Sequence, residues 1–413
     1  MLVPSIDIMN GKLVQLKQGK DKVIEFDNPI DFAKKYSIYT SIQLIDLDSA
    51  MDKGDNNDLI KQICNICRCR VGGGIRSLEK AKDLIASGAD KIIIGTMANV
   101  EFLSQLCQEV GREKIIVALD ARNREISIRG WKEQTGRNLF VIAKELEDYC
   151  SEFLYTCIEK EGLMNGVDFE TVKQLKKITS NKISFAGGIS SIEEINEFDK
   201  INVNSIVGMA IYSGKINPAE AFIDSLDFSK SAGLIPTIVK DEQGNVLTLA
   251  YSNRESLLKA LEMRIGAYFS RNRGKLWIKG ETSGNIQELI EIKTDCDRDA
   301  LIFVVKQKGN ACHLNQYSCF QEKKKFDLEA LYNKIKSKMD SYDENSYTKK
   351  LVADKELLKR KLIEEAAEVI TAKNKKELIW ECSDLIYFLL VIMAEAGVII
   401  KDIERENERR DKK

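Results

Sequence analysis

An internal repeat in the first 228 residues limits the possible folds of this 413-residue chain more than any other feature. Three pairs of landmarks at the ends of apolar runs are separated by 113 or 114 positions: Asp7 and Asp120, Gly74 and Gly188, and Gly95 and Gly208. Three matches at nearly one offset indicate that the segment consists of two equivalent halves, with the same residues at matching places.

The same segment alternates short β-rich runs with helical patterns. The runs lie near residues 2–7, 42–47, 69–72, 91–95, 115–119, 152–157, 183–186 and 204–208. Strand–helix units that alternate in this way predict a parallel (β/α)8 TIM barrel, which we place at residues 1–228.

The repeated residues stand at strand ends, where the active sites of such barrels form. The turns at 72–74 and 187–188 are glycines, which let backbone N–H groups approach a phosphate, and a helix begins behind each turn. One such turn is weak evidence, since it is often only a tight turn, but a symmetric pair predicts two phosphate sites. Asp7 and Asp120 would face each other between them. We therefore expect a long, bis-phosphorylated substrate with acid–base chemistry in its middle.

Residue types that bind metals cluster between positions 295 and 319. In extended backbone, alternate side chains point to opposite sides, so this stretch would project three carboxylates one way and a thiol the other. The carboxylates are Asp295, Asp297 and Asp299, and the thiol is Cys296. Carboxylate oxygens suit Mg²⁺ and thiolates suit Zn²⁺, so one short strand could serve two metals.

Two further cysteines, Cys312 and Cys319, extend this cluster. Three cysteines without an obvious fourth ligand predict an open zinc position, where a catalytic water would bind. The only histidine of the chain, His313, lies inside the group. The alternative is an acidic turn with scattered cysteines.

The region that holds this cluster, residues 229–321, predicts a small α+β metal-binding domain. It begins with a strand, a Gln-Gly-Asn turn, a second strand and a helix start. The segment SRNRGKLWIKGETSGN follows, with four cations that could hold a phosphate and a tryptophan that could stack on a base. These residues are Arg271, Arg273, Lys275, Lys279 and Trp277. A solvated basic hairpin with a packed tryptophan is the alternative.

From residue 325 the pattern becomes helical and predicts an all-α domain at 325–413. Glu365 and Glu368 share one helix face, and Glu381 and Asp384 repeat that spacing on the next helix. One acidic pair is usually a solvated face. Two matched pairs need a cation to offset their repulsion, and Mg²⁺ bound to a triphosphate would fit.

The overall charge argues against nucleic acid as a partner. The chain has 63 Lys and Arg against 64 Asp and Glu, so its formal net charge is −1. The N-terminus lacks the pattern of a signal peptide, and the most apolar run, 385–394, is too short to span a bilayer. We therefore expect a cytoplasmic chain with no membrane partner, whose ten cysteines are mostly reduced.

Residues 1–228 resemble the phosphoribosylformimino-aminoimidazole-carboxamide ribotide isomerase family. The resemblance is carried by VPSIDIMNGK, LIDLDSA, VGGGIRS, IIIGTMA, ALDARNREISIRGW, TCIEKEG, FAGGIS and VGMAIY. It implies an Amadori rearrangement without a cofactor, in which Asp7 is the general base, Asp120 the general acid, and Thr156 orients groups near Asp120. The other substrate-binding positions that it implies are Gly74, Arg76, Thr96, Gly188 and Gly208.

Two positions depart from the pattern of that family. Gln15 stands where the family usually has arginine, and Lys20 where it usually has an acidic residue. The resemblance implies that both lie in a loop that covers substrate, so we expect them to bear on affinity more than on chemistry. A related cyclase barrel shares the aspartate pair, but IRGW at 128–131 favours the isomerase.

Residues 229–321 resemble phosphoribosyl-AMP cyclohydrolase, which hydrolyses the N1–C6 bond of the adenine ring. AYSNRESL, SRNRGKLWIKGETSGN, DCDRDAL and ACHLNQYSCF carry the resemblance, with Ile278 in place of a polar residue. It implies Zn²⁺ on the three cysteines, Mg²⁺ on the three aspartates and proton transfer by His313. Substrate would contact Arg273, Lys275 and Trp277. In that family the zinc ligands come from two subunits, so we expect a homodimer formed through this domain.

The tail resembles phosphoribosyl-ATP pyrophosphohydrolase, an all-α family that releases pyrophosphate from a nucleoside triphosphate. SYTKKLV, KLIEEAAEVI and ECSDLIYFLLV carry the resemblance. It implies that the four carboxylates, Glu365, Glu368, Glu381 and Asp384, hold Mg²⁺ and position water. Lys361 would contact phosphate.

Together the resemblances predict a trifunctional enzyme of histidine biosynthesis. It would hydrolyse phosphoribosyl-ATP to phosphoribosyl-AMP, open the adenine ring and isomerise the product. Its partners would be phosphoribosylated adenine nucleotides and the bis-phosphorylated carboxamide ribotide. Two alternatives stay open: a bifunctional enzyme whose barrel is a non-catalytic scaffold, with Gln15 and Lys20 as the only hints, and a tail that cleaves nucleoside triphosphates in general.

Overall fold

The computed structural model describes residues 1–39, 41–321, 323–341 and 346–411. It divides into two compact units, Met1–Glu322 and Lys323–Lys413. The first unit contains the predicted barrel and the β-rich middle region, and the second is helical. The predicted boundary near residue 228, inside the first unit, stays a prediction.

Twelve strands form the sheet of the barrel region. In chain order they are β1 (Leu2–Met9), β2 (Lys12–Lys17), β3 (Asp21–Phe26), β4 (Ile42–Asp46), β5 (Cys69–Gly72), β6 (Lys91–Ile94), β7 (Ile115–Arg122), β8 (Glu125–Ile128), β9 (Glu133–Asn138), β10 (Glu152–Cys157), β11 (Lys182–Ala186) and β12 (Val203–Val207). Eight of them, β1, β4, β5, β6, β7, β10, β11 and β12, pair in parallel in this order. Because β12 pairs back with β1, the sheet closes and the predicted barrel is confirmed.

The two halves of the barrel carry the same extension. Strand β1 continues into the antiparallel hairpin β2–β3, and β7, the fifth barrel strand, continues into the hairpin β8–β9. Each hairpin follows the strand that bears one of the repeated aspartates. The repeat in the sequence therefore corresponds to a repeat of structure, with a hairpin next to each aspartate.

Helices and short 3₁₀ turns connect the strands. The helices are α1 (Pro29–Tyr36), α2 (Leu47–Ala50), α3 (Asn57–Ile66), α4 (Leu78–Ala86), α5 (Val100–Val110), α6 (Leu139–Leu146), α7 (Phe169–Ile178), α8 (Ile192–Lys200), α9 (Met209–Tyr212) and α10 (Pro218–Asp224). The 3₁₀ turns are Arg112–Lys114, Glu147–Tyr149, Ile158–Lys160 and Ser229–Ser231. Asn and Ser side chains start several helices by accepting backbone N–H groups, as Ser191 does at α8.

Apolar side chains fill the barrel interior, so it is a core and not a pore. The buried interior cluster is Val3, Ile93, Ile116, Leu154, Ala186 and Ile206. At the amino ends of the strands, the buried guanidinium of Arg70 pairs with Glu152 and donates to Ser184 Oγ at 2.9 Å. These groups close that end of the barrel, which leaves the carboxyl ends for a site.

The middle region contains a four-stranded sheet and a separate hairpin. Its elements are β13 (Ile235–Asp241), β14 (Val246–Ser252), α11 (Arg254–Met263), β15 (Ala267–Ser270), β16 (Lys275–Ile278), β17 (Gln287–Thr294) and β18 (Leu301–Gln307). The sheet order is β14-β13-β18-β17, and β15 pairs with β16. The predicted order of strand, turn, strand and helix is observed: Gly244, at φ 83°, turns the chain between β13 and β14, and Asn253 caps α11.

The core of the middle region includes residues of the barrel region. Phe222 and Ile223 of α10 are buried in one cluster with Ile235 of β13 and Phe303 of β18. A shared apolar core holds neighbouring elements much more firmly than polar surface contacts do. The middle sheet is therefore built directly on the last helix of the barrel.

The predicted extended conformation of residues 295–299 is wrong. Strand β17 ends at Thr294, which pairs with Leu301 at the start of the antiparallel strand β18. The chain must reverse between these two residues, so the acidic stretch is a loop. Arg298 in this loop has a left-handed backbone with φ 60°. Alternating acidic and thiol residues fit a strand and a loop equally well, so the sequence pattern did not distinguish between these two conformations.

The second unit consists of five helices among its described residues. They are α12 (Leu328–Met339), α13 (Tyr347–Ala353), α14 (Lys355–Thr371), α15 (Lys375–Ala396) and α16 (Ile400–Asp411). Its core contains Leu351, Leu358, Phe388 and Val391. In the described part of the chain, no single helix is long and apolar enough to cross a membrane. Lys375–Ala396 and Ile400–Glu408 reach that length and apolarity only when they are counted as one segment, and the two helices are bent by 100° relative to each other.

Candidate functional sites

A cavity of about 240 Å³ opens at the carboxyl ends of the barrel strands. Seven of the eight substrate and catalytic residues predicted for the barrel line it: Asp7, Gly74, Arg76, Thr96, Asp120, Thr156 and Gly208. Gly188 is not among the lining residues. The structure therefore brings the repeated aspartates and most of their predicted neighbours into one pocket.

Burial raises the pKa of both repeated aspartates. The pKa of Asp7 rises to about 7, opposed by a hydrogen bond from Ser5 Oγ to its Oδ1 at 3.4 Å. The pKa of Asp120 also rises through burial, and hydrogen bonds from the Trp131 indole and the Thr156 hydroxyl oppose this by stabilising the carboxylate. The Trp131 Nε1–Asp120 Oδ2 distance is 2.8 Å. The two carboxylates are therefore stabilised by different hydrogen-bond donors, Ser5 at Asp7 and Trp131 with Thr156 at Asp120.

A third carboxyl group, Glu161, lines the same cavity and was missed by the sequence prediction. Burial, and then the charges of Asp7 and Asp120, raise its pKa to about 8. Gln15 Nε2 lies 3.4 Å from Glu161 Oε1. Because neighbouring carboxylates repel one another, this pocket favours the protonated form of Glu161 more than water does. Its position just after β10, in TCIEKEG, was the available signal.

Two glycine turns bring backbone close to the mouth of the cavity. Gly73 and Gly74 have φ of 100° and 62°, and a Cβ at Gly74 would lie 2.1 Å from Ser49 Oγ. A Cβ at Gly188 would lie 2.2 Å from the carbonyl oxygen of Gly166. There is no room for a side chain at these positions. Because glycine has none, the backbone can adopt these turns, and its N–H groups can approach an anion.

Arg76 supplies positive charge beside the first glycine turn. Its guanidinium donates to the carbonyl oxygens of Ser49, at 3.4 Å, and Ala50, at 3.1 Å, and pairs with Asp52. These bonds hold the guanidinium at the cavity wall. A cation next to a glycine turn suits a phosphate group.

The hairpin β8–β9 covers one side of the cavity. Its turn carries Trp131, whose ring fills the space that a Cβ at Gly19 would enter at 2.7 Å. The backbone N–H of Arg129 donates to Thr96 Oγ1 at 3.1 Å. Contacts of this kind fix the hairpin beside Asp120 at the wall of the cavity.

In the middle region, Asp295, Asp297 and Asp299 offer carboxylate oxygens that lie within 4.8 Å of one another. The Lys230 ammonium reaches into this group and lies 3.0 Å from Asp299 Oδ2, with Asp297 as its other partner. Asp295 Oδ1 accepts the backbone N–H of Asp299 at 3.1 Å. A set of hard oxygens that already attracts one cation fits a divalent ion such as Mg²⁺.

The three predicted zinc thiols are placed differently. Cys312 is buried, and its sulfur accepts the backbone N–H of Leu314 at 3.4 Å. Cys296 and Cys319 are exposed. Within the described residues of one chain, these thiols are not among the groups whose ligand atoms lie within 4.8 Å. The donor type fits Zn²⁺, while a complete zinc set stays a prediction.

The predicted substrate residues of the middle region have unequal surroundings. Arg273, Lys275 and His313 are exposed, and Trp277 is half-buried against Tyr268, with ring centroids 5.7 Å apart. Lys279 instead is buried, and its ammonium donates to the Ala311 carbonyl. Burial lowers the pKa of Lys279. Its hydrogen bond inside the protein makes it part of the packing around Cys312 rather than a free phosphate ligand.

In the second unit, Glu365, Glu368 and Glu381 offer carboxylate oxygens within 4.8 Å of one another. Burial and then Asp384 and Glu368 raise the pKa of Glu365, and burial and then Glu368 raise that of Glu381. Asp384 lies outside the 4.8 Å group but acts on it electrostatically. The shifts record repulsion that a divalent cation would relieve.

Lys361, the predicted phosphate ligand of the tail, lies on the same helix as two of these glutamates. Its ammonium pairs with Glu364 at 2.9 Å. This pair lies on a partly exposed helix surface, so the contact is weak and a phosphate could replace it.

Three family models match the chain from its N-terminus to its C-terminus. They describe a histidine biosynthesis protein at residues 1–217, a phosphoribosyl-AMP cyclohydrolase at 248–321 and a phosphoribosyl-ATP pyrophosphohydrolase at 328–411. The first model alone covers more than half of the chain.

Relatives match separate parts of the chain. A phosphoribosyl imidazole-4-carboxamide isomerase of Methanocaldococcus jannaschii is 36% identical over 230 residues, which cover 54% of this chain and 97% of the relative. The histidine biosynthesis bifunctional protein HisIE of Pyrococcus furiosus is 41% identical over 206 residues, 47% of this chain and 99% of the relative. A histidine biosynthesis trifunctional protein of Neurospora crassa is 49% identical over 173 residues, 42% of this chain but only 20% of the relative.

Proposed function

Because the chain belongs to the histidine biosynthesis protein family, we propose that it catalyses three steps of that pathway with three separate sites. The second unit removes pyrophosphate from phosphoribosyl-ATP, the middle region opens the adenine ring of phosphoribosyl-AMP, and the barrel isomerises the product. The observation that carries the proposal is the order of three matched domains, each with its own group of titratable or metal-binding side chains.

In the barrel, isomerisation needs one acid and one base. A carboxylic acid donates a proton to the ring oxygen as the C1–O bond of the aminoaldose breaks, and a carboxylate removes the proton from C2. Asp7 is the base. Asp120 is the predicted acid, and Glu161, whose pKa is raised by burial and by the charges of Asp7 and Asp120, is a second candidate for that role. Phosphates of the substrate bind at the glycine turns, and the barrel needs no cofactor.

In the middle region, the aspartate loop holds Mg²⁺ and the cysteines hold Zn²⁺. A bound zinc ion supplies activation of water for attack on the adenine ring. His313 transfers the proton, and Arg273, Lys275 and Trp277 hold the nucleotide. Because a homodimer can bring thiols of two chains together, the proposal includes a dimer formed through this region.

In the second unit, Glu365, Glu368, Glu381 and Asp384 hold Mg²⁺ on the triphosphate and orient water. Two carboxylates on each of two helices support this role, because a bound cation would relieve the repulsion among them. The proposal also includes that the second unit binds an ATP-like substrate and that the protein is cytoplasmic.

A stepwise assay of the full chain with phosphoribosyl-ATP tests the proposal, with one variant for each site. We expect Glu381→Gln to leave the substrate unchanged, Cys312→Ser to accumulate phosphoribosyl-AMP, and Asp7→Asn to accumulate the ring-opened aminoaldose. The two activities that each variant retains, assayed with their own substrates, are the control for folding.

The same assay decides between the proposal and its alternatives. If neither Asp7→Asn nor Asp120→Asn changes isomerisation, the barrel is a scaffold. If the second unit hydrolyses free nucleoside triphosphates faster than phosphoribosyl-ATP, it is a general nucleotide hydrolase.

A further inference from the structure

Asp199, a residue of barrel helix α8, forms an ion pair with the acidic loop of the middle region. Its Oδ2 accepts Arg298 Nη1 at 2.7 Å, and its Oδ1 pairs with the ammonium group of Met1. The side chain of Asp199 is 5% exposed and that of Arg298 is 21% exposed. Bonds between ionised groups that are shielded from water are short and strongly directional, so this pair fixes the position of the guanidinium.

The backbone of Arg298 is held by the same part of the barrel region. The backbone N–H of Asp227 donates to the Arg298 carbonyl oxygen at 2.9 Å, and the Ser225 carbonyl accepts Nη1 at 3.5 Å. Arg298 has φ 60°, a conformation that a residue with a side chain adopts only where its surroundings hold it. Side chain and backbone together attach this residue to the segment that follows α10.

Arg298 stands between two of the three carboxylates in the acidic loop. Asp297 precedes it and Asp299 follows it, and their oxygens lie within 4.8 Å of those of Asp295. Asp295 Oδ1 also accepts the backbone N–H of Ala300, at 3.2 Å. The direction in which the carboxylates point depends on the backbone of this short loop, and therefore on the anchor at its centre.

We infer that Asp199, although it belongs to the isomerase barrel, is a positioning residue for the cyclohydrolase step, because its bond to Arg298 holds the metal-binding loop in shape. This inference rests on the proposed function of the loop. Asp199 is not among the residues that line the barrel cavity. Partners that orient metal ligands change metal affinity by roughly 10–100-fold when they are lost.

Mn²⁺ binding to the full chain, measured from the electron paramagnetic resonance of free Mn²⁺, tests the inference without an activity readout. The background variant Glu365→Gln/Glu368→Gln removes the carboxylate cluster of the second unit. In this background we expect Asp199→Asn to weaken Mn²⁺ binding by about tenfold or more. Isomerase kcat/KM should stay unchanged, which also reports that the barrel is folded. Glu197→Gln, at an exposed position of the same helix, is the matched control.

Arg298→Gln provides the second variant, since it breaks the same pair from the other side. If the pair acts as a unit, Asp199→Asn/Arg298→Gln binds Mn²⁺ no more weakly than the worse single variant. Affinity of Asp199→Asn equal to that of its parent, or losses that add in the double variant, would overturn the inference. If the parent itself binds no Mn²⁺ at the loop and has no cyclohydrolase activity, the proposed function of the loop fails instead.

Discussion

The indole nitrogen of Trp131 donates to Oδ2 of Asp120 at 2.8 Å. Trp131 belongs to the turn of the hairpin β8–β9, while Asp120 lies on barrel strand β7. The covering hairpin therefore sets the electrostatics of a carboxyl group in the cavity, because a hydrogen bond to the carboxylate counteracts the effect of burial on its pKa.

Trp131→Phe removes this donor and keeps an aromatic ring against Gly19. We expect the pKa of Asp120 to rise further, because burial raises this pKa and the hydrogen bond from Trp131 no longer counteracts it. A hydrogen bond to a charged group contributes about 1.5–3 kcal/mol, so isomerase kcat/KM should fall by at least about tenfold. The measurement is kcat/KM against pH. Trp380→Phe, at an exposed position of the second unit, is the control, and an unchanged pH profile in Trp131→Phe would contradict the role of the bond.

Glu161 makes the stability of the barrel depend on pH. Its pKa is raised from 4.5 to about 8, so between these values the folded chain keeps a proton that the unfolded chain has released. The contribution of Glu161 to stability is therefore greatest below about pH 4.5 and falls as the pH rises to about 8. Glu161→Gln removes this loss. We expect the free energy of unfolding at pH 8.5 to exceed that of the wild type by on the order of 2 kcal/mol.

Urea denaturation followed by tryptophan fluorescence, at pH 4 and pH 8.5, measures the difference. No gain is expected at pH 4, where the group is protonated in both states. Glu197→Gln should behave as the wild type at both pH values. If the free energy of unfolding of Glu161→Gln differs from that of the wild type by the same amount at pH 4 and pH 8.5, the effect comes from packing and not from titration.

The barrel could be predicted from sequence because eight apolar runs and a repeat leave few other arrangements. The pairing of Asp7 with Asp120 in one cavity followed from the repeat, since equivalent residues of two halves meet at the same end of a barrel. Glu161 is not one of the landmarks from which the repeat was identified. Its position after β10 was a signal for a residue near the site, but its contact with Gln15, 146 positions away, follows only from the fold.

For the acidic loop, the sequence pattern predicted which residues are grouped but not the backbone conformation that groups them. The residue types at 295–299 predicted a group of carboxylates, and the carboxylates are grouped. The strand predicted to hold them is a loop, because β17 and β18 are antiparallel and the chain reverses between them. The contact between Arg298 and Asp199 joins positions 99 apart in the sequence, and only the fold places them together.

Lys230 acts as an internal counter-ion of that loop. Its ammonium contacts Asp297 and Asp299, the positions where a divalent ion would bind. Lys230→Gln removes a competing charge, so we expect several-fold tighter Mn²⁺ binding at low ionic strength and a lower melting temperature without metal. The pair is partly exposed, so the difference should shrink in high salt. Lys306→Gln, at an exposed position on β18, is the control, and unchanged Mn²⁺ affinity in Lys230→Gln would exclude competition.

Chelation should separate the three activities. The first two steps use groups of carboxylates or thiols that a metal would complete, whereas the barrel cavity contains carboxyl groups whose raised pKa values let them exchange protons unaided. We therefore expect a chelator to abolish pyrophosphate release and ring opening, with restoration by Mg²⁺ and Zn²⁺, and to leave isomerisation unchanged. Each step is assayed with its own substrate before and after treatment. Isomerisation that is lost on chelation and restored by metal would contradict acid–base catalysis by carboxyl groups alone, and would require a cation in the pocket between Asp7 and Asp120.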